Sequence, residues 1–183
     1  MEVLNHAAAG DLDSDIEAGQ TLLFVGYEGA TDEVEWQLDQ IDAACEQESM
    51  RLDHDRSRKQ YEALTSWPEH EADYAFEAIA PAPNRWALIE SCSKRGIAVL
   101  AHGRNGPVLG CGAGDLTLET AAVLRADAGP TGSLKFTRLP AGSKVPRWSC
   151  SNPAFKWMRA IKREFDPNRV FPGSGFLDTD RES

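Results

Sequence analysis

Two apolar runs, 97–101 (IAVLA) and 107–110 (PVLG), are separated only by His102-Gly103-Arg104-Asn105-Gly106. A crossover to a parallel neighbour needs a dozen or more residues, so runs this close pair as an antiparallel hairpin. That hairpin constrains everything around it. On its upstream side, 74–80 alternates as a strand and Pro81 and Pro83 open a helix carrying Trp86, Ile89 and Cys92, which Gly96 ends. On its downstream side, a helix with Leu116, Leu118, Ala122 and Leu124 leads into a strand at 133–139. Nearer the amino terminus, the run TLLFVGY at 21–27 reads as a buried strand, followed by a helix over 32–50. Thr31 is its cap, Asp32 and Glu33 suit its positive end, and Val34, Leu38, Ile41 and Cys45 form its inner stripe. The charged stretch 51–71 with Trp67-Pro68 reads as a loop with room for one helical turn. A further loop spans 140–152. The order β-α-β-α-β-β-α-β-α predicts an α+β fold, an antiparallel sheet with helices packed on one face and ferredoxin-like βαβ units.

The closing segment is the most patterned. Asn152 and Pro153 supply a cap and a first helical residue, and Phe155, Met158, Ile161 and Phe165 fall at helical spacing. Lys156, Arg159, Lys162 and Arg163 take the other face. Asp166-Pro167 ends the helix, because the residue before a proline is pushed out of the α region. The apolar stripe is expected to be buried in the core.

A chain of 183 residues fits one domain. With 19 basic against 29 acidic residues its net charge is −10, which argues against nucleic acid or an anionic membrane as its main partner while leaving a local basic patch at 156–163. No run reaches the ~20 apolar residues of a membrane span, so no direct membrane insertion is expected. The acidic, glycine-broken start does not read as a signal peptide. Cys45, Cys92, Cys111 and Cys150 are scattered without a Cys-x-x-Cys pair, which favours reduced thiols in a cytoplasmic protein. The acidic stretches 11–17, 32–48 and 69–77 read as solvated faces rather than catalytic carboxylate pairs.

Several positions could carry chemistry. Gly103, Gly106, Gly110, Gly112 and Gly114 stand between a strand and a helix, where a phosphate loop would sit, yet they match neither G-x-G-x-x-G nor a Walker sequence. A glycine-rich hairpin accounts for them better. His102 and Asn105 sit at the end of a strand. His102 has no second histidine at ligand spacing, since His6, His54 and His70 lie in polar segments, and no metal site is expected. Lys135, Arg138, Lys144 and Arg147, with Trp148, form a basic segment. Arginine is suited to gripping a carboxylate through two parallel hydrogen bonds. A surface loop that balances an acidic protein is the plainer alternative.

The ending MRAIKREFDPNRVFPG resembles the closing signature of FAD-linked oxidases of the glycolate oxidase and D-lactate dehydrogenase type. MEVLNHAAAG resembles their entry into the C-terminal cap domain, and TLLFVGYEGATDEVEWQLDQIDAAC the cap's first strand and helix, with Glu28-Gly29 between. RGIAVLAHGRNGPVLG resembles the cap's later His-x-Gly-Asn-Gly strand pair. Phe171 stands where the family usually has Asn, and Ser174 where it usually has Arg. The likeness is greatest to the FAD-binding subunit of bacterial glycolate oxidase. It implies that 1–183 is a single cap, or substrate, domain whose N-terminal FAD-binding domain is absent from the chain. It implies FAD held by a companion domain or subunit, an iron-sulfur subunit as a further partner, and a small 2-hydroxy acid as substrate. In that frame His102 is the catalytic candidate, and Arg138, Arg147 and Asn105 are the substrate-binding candidates. The competing class is a non-catalytic assembly module left by truncation of such an enzyme.

Overall fold

A computed structural model of the chain describes residues 1–10, 12, 16–17, 19–45, 49–67, 72–148 and 154–171. Its elements in chain order are β1 (Glu2–Asn5), α1 (His6–Gly10), β2 (Thr21–Phe24), α2 (Thr31–Ala44), α3 (His54–Ser66), β3 (Tyr74–Ile79), α4 (Ala82–Ser93), β4 (Ala98–His102), β5 (Val108–Gly112), α5 (Leu118–Asp127), β6 (Ser133–Arg138) and α6 (Ala154–Phe165). The strands form one six-stranded sheet in the order β2-β1-β4-β5-β3-β6, antiparallel throughout.

The expected hairpin sets this topology. β4 and β5 pair with Ala101 opposite Val108, and β5 then lies between β4 and β3. β3-α4-β4 is therefore one split βαβ unit, and β5-α5-β6, with β3 between its strands, is the second. α4 ends as its sequence requires: Gly96 takes φ +67°, and the Ile97 N–H returns to the Cys92 carbonyl at 3.0 Å. Both helices pack on one sheet face. There Phe76 and Phe136 meet edge to face at 6.1 Å, among Leu88, Ile89, Cys92, Val99, Leu124 and Leu134. Two glycines of β5 are fixed by this packing. A Cβ on Gly110 would sit 2.2 Å from the Phe76 ring, and one on Gly112 2.3 Å from the Tyr74 hydroxyl. Burial among these groups pushes the Cys92 thiol up to about 12.

Several expectations need correction. Val99 and Ala101 face the first core, whereas the alternate residue Leu100 faces a second one with Leu4, Ala8, Leu12, Leu64 and Trp67. The helices thus cover both faces rather than one, with α1 and α3 on the second. The stretch read as a loop contains α3, capped by the Asp53 carboxylate accepting from the Arg56 N–H at 2.9 Å. Its one buried residue, Leu64, together with Trp67 supplied too little periodicity to see. β1 was also missed. It is held by Asn5, whose side chain donates to the Ile97 carbonyl at 2.7 Å and accepts from the Val99 and Ala8 N–H groups. Cys45, assigned to an inner stripe, is exposed.

The largest correction concerns α6. Met158, Ile161 and Phe165, expected in the core, are 40%, 58% and 78% exposed. The helix forms because its residues favour it. α4 and α5 supply the helical side of the first core, and no described residue of α6 belongs to either core. The Phe155 side chain, the Asn152–Pro153 cap, Cys150, His70 and Ser174 lie outside the described residues.

Candidate functional site

β1 and β4 place Glu2 directly opposite His102. Cross-strand partners in an antiparallel pair bring their side chains together, and the His102 Nδ1 lies 2.6 Å from the Glu2 Oε2. Both side chains are about one-third exposed or less, so the pair is partly shielded from water. Beneath it, the buried Arg85 reaches out of α4 and donates to the Gly106 carbonyl at 2.6 Å and the His102 carbonyl at 2.8 Å. Burial draws the Arg85 guanidinium below its ordinary range, and the Glu2 charge opposes that. Arg85 therefore fixes the turn that carries Asn105, which is exposed at its tip. Glu2 and Arg85 were not singled out in the sequence. Arg85 had a signal, since it sits four residues before Ile89 and seven before Cys92 on the apolar stripe of α4.

Arg138 and Arg147 form a second corner. A bulge at Thr137 sets Arg138 opposite Ala75, and Arg138 donates to the Ala72 carbonyl at 3.0 Å. The segment before Trp148 runs back along the β6 edge, where the Phe136 N–H donates to the Arg147 carbonyl and Lys135 bridges to Trp148. The Arg147 guanidinium donates to the Thr137 carbonyl at 3.0 Å, and the Lys135 ammonium sits 5.8 Å from the centre of the Trp148 ring. Between this edge and the second core, the outward side chains of β3 and β6 belong to neither core among the described residues. Glu77 and Lys135, register partners there, are half-buried, and Ile79 and Thr137 are exposed.

The two corners lie at opposite ends of the sheet. His102 aligns with Ala78–Ile79 through the hairpin, whereas Arg138 aligns with Ala75, four residues of strand and three strand spacings away. At the usual strand rise and spacing that is roughly 20 Å. His102 and Asn105 share the β4–β5 end of the sheet, and Arg138 and Arg147 share the β6 edge. The two pairs stay apart, and a small carboxylate cannot touch both.

Within the glycine cluster 103–114, Gly110 and Gly112 serve packing, since the Phe76 and Tyr74 rings fill the space beside them. No group of three or more metal-ligating side chains occurs among the described residues. No known family, no curated protein and no solved structure matches this chain.

Proposed function

We propose that the chain is the cap, or substrate-domain, part of a glycolate oxidase-like FAD-dependent oxidoreductase that acts on a small 2-hydroxy acid. The observation that carries this reading is the sheet face over β3 and β6, which is exposed among the described residues at Ile79 and Thr137 and lies beside Arg138 and Arg147. Such a face suits the roof of a pocket whose floor belongs to another domain. The flavin and its chemistry belong to that companion. The motifs quoted from the sequence support the same assignment.

Within it, Arg138 and Arg147 bind the substrate carboxylate. Both are exposed, and each would exchange a hydrogen bond to a neutral backbone carbonyl for a stronger one to a charged carboxylate. His102 and Asn105 would be the alternative site, with His102 as its catalytic group, if the companion delivers substrate to the other corner. The test is co-expression with a flavin domain, followed by 2-hydroxy-acid-dependent dye reduction. Loss of a carboxylate contact should cost about 1.5–3 kcal/mol, seen as a raised KM in Arg138→Ala or Arg147→Ala with His102→Ala unaffected. The opposite pattern moves the site to His102. The second reading, a non-catalytic assembly module, is favoured by the bonds that tie both arginines to the chain's own carbonyls. It prevails if a stable flavoprotein forms and oxidises no 2-hydroxy acid.

A further inference from the structure

α6 presents an apolar stripe that nothing in the described chain covers. Trp157 is 69% exposed, and Ile161 and Phe165 continue the stripe at 58% and 78%. Val170 and Phe171 extend it past the helix end, at 76% and 66% exposed. Asp166 holds that extension in place, accepting from the Val170 N–H at 2.6 Å and the Lys162 ammonium at 2.9 Å. The opposite face carries Lys156, Arg159, Lys162 and Arg163, with Arg169 following. Only Glu164 and Asp166 oppose them, in a chain whose net charge is −10. A local excess of positive charge thus shares one helix with an exposed apolar stripe.

We propose that α6 is an interfacial helix that lies on an anionic lipid surface, its stripe in the headgroup boundary and its cations against the lipid phosphates. Its 12 residues span about 18 Å, too short to cross a hydrocarbon core of ~30 Å, so the helix lies in the plane of the membrane. A tryptophan on the stripe suits that depth. Charge separates this occupant from a second copy of the chain. A second copy packed stripe to stripe would leave both sets of cations on the outer faces without counter-charge, whereas an anionic surface supplies it. The acidic remainder is repelled by the same surface, which leaves the sheet facing away from it. The proposal stands independently of the flavin reading.

The test is co-sedimentation of the full chain with phosphatidylglycerol-containing vesicles and with pure phosphatidylcholine vesicles. Binding to the anionic vesicles alone, weakened by salt, is expected. Lys156→Gln and Arg163→Gln should each weaken it roughly fivefold. Ile161→Glu with Phe165→Glu should abolish it while leaving the thermal transition of the free protein in place. Equal binding to both vesicles, or none to either, overturns the proposal. So does concentration-dependent dimerisation, lost in the Ile161→Glu/Phe165→Glu protein, without vesicle binding. A large loss of stability in that variant also overturns it, because the stripe would then be covered by the chain itself.

Discussion

α5 and α6 are near neighbours in length and opposites in fate. α5 has little amphipathic contrast, yet Ala121 and Leu124 are fully buried against the sheet. α6 has the sharpest separation of apolar and basic faces in the chain, and its stripe faces solvent. The difference teaches that periodicity reports that a helix forms, whereas its destination depends on which faces remain free. The first sheet face was taken by helices whose connections hold them there, one crossing from β3 to β4 and one from β5 to β6. α6 follows β6 through a long segment, and no strand comes after it among the described residues.

The largest effect that could break this comparison is in the core. Phe76→Ala should cost about 3–5 kcal/mol, since its ring fills the space over Gly110 and meets Phe136. Ile161→Ala in α6 should stay within about 0.5 kcal/mol. Chemical denaturation of both variants measures the contrast, and similar losses would erase it.

Next in size is Asn5→Ala. It leaves the Val99 and Ala8 N–H groups and the Ile97 carbonyl without their partner, at about 2–3 kcal/mol. An unchanged denaturation midpoint would mean that β1 is not secured by this side chain. Gly110→Ala should follow at about 1–3 kcal/mol, because the added methyl meets the Phe76 ring. Combining it with Phe76→Leu should recover part of that loss, which a double-mutant cycle would read.

The hairpin and its neighbouring helices were legible because short-range signals settle them. Gly96, Pro81 and the five residues between β4 and β5 act within a few residues of themselves. β1 and α3 were not, since their cause is remote: Asn5 bonds to residues more than 90 positions away, and α3 buries only Leu64. The site divides likewise. His102 and Asn105 were visible as a strand end, but the partners Glu2 and Arg85 depend on sheet register and on the reach of α4. The distance between His102 and Arg138 is set by strand order, which no local pattern contains.

The smallest expected effect is a pH dependence at the end of α6. The Lys162 ammonium and the Val170 N–H hold the Asp166 carboxyl below its usual range. A carboxyl lowered on folding stabilises the turn above its unfolded value, and that contribution fades as pH falls through the lower folded one. Chemical shifts of Val170 and Phe171 should therefore move only below about pH 4. Asp166→Asn should remove the transition, and a transition that persists in that variant would assign it elsewhere.

Native-state hydrogen exchange compares the two regions most directly. Amides of β3, β5 and β6 should exchange only through global unfolding, and those of α6 through a local opening of much lower free energy. Both classes should respond to denaturant accordingly, the first steeply and the second hardly at all. If the α6 amides instead exchanged with the free energy and denaturant dependence of β3, the helix would belong to the packed core, and the separation of core from exposed helix would be wrong.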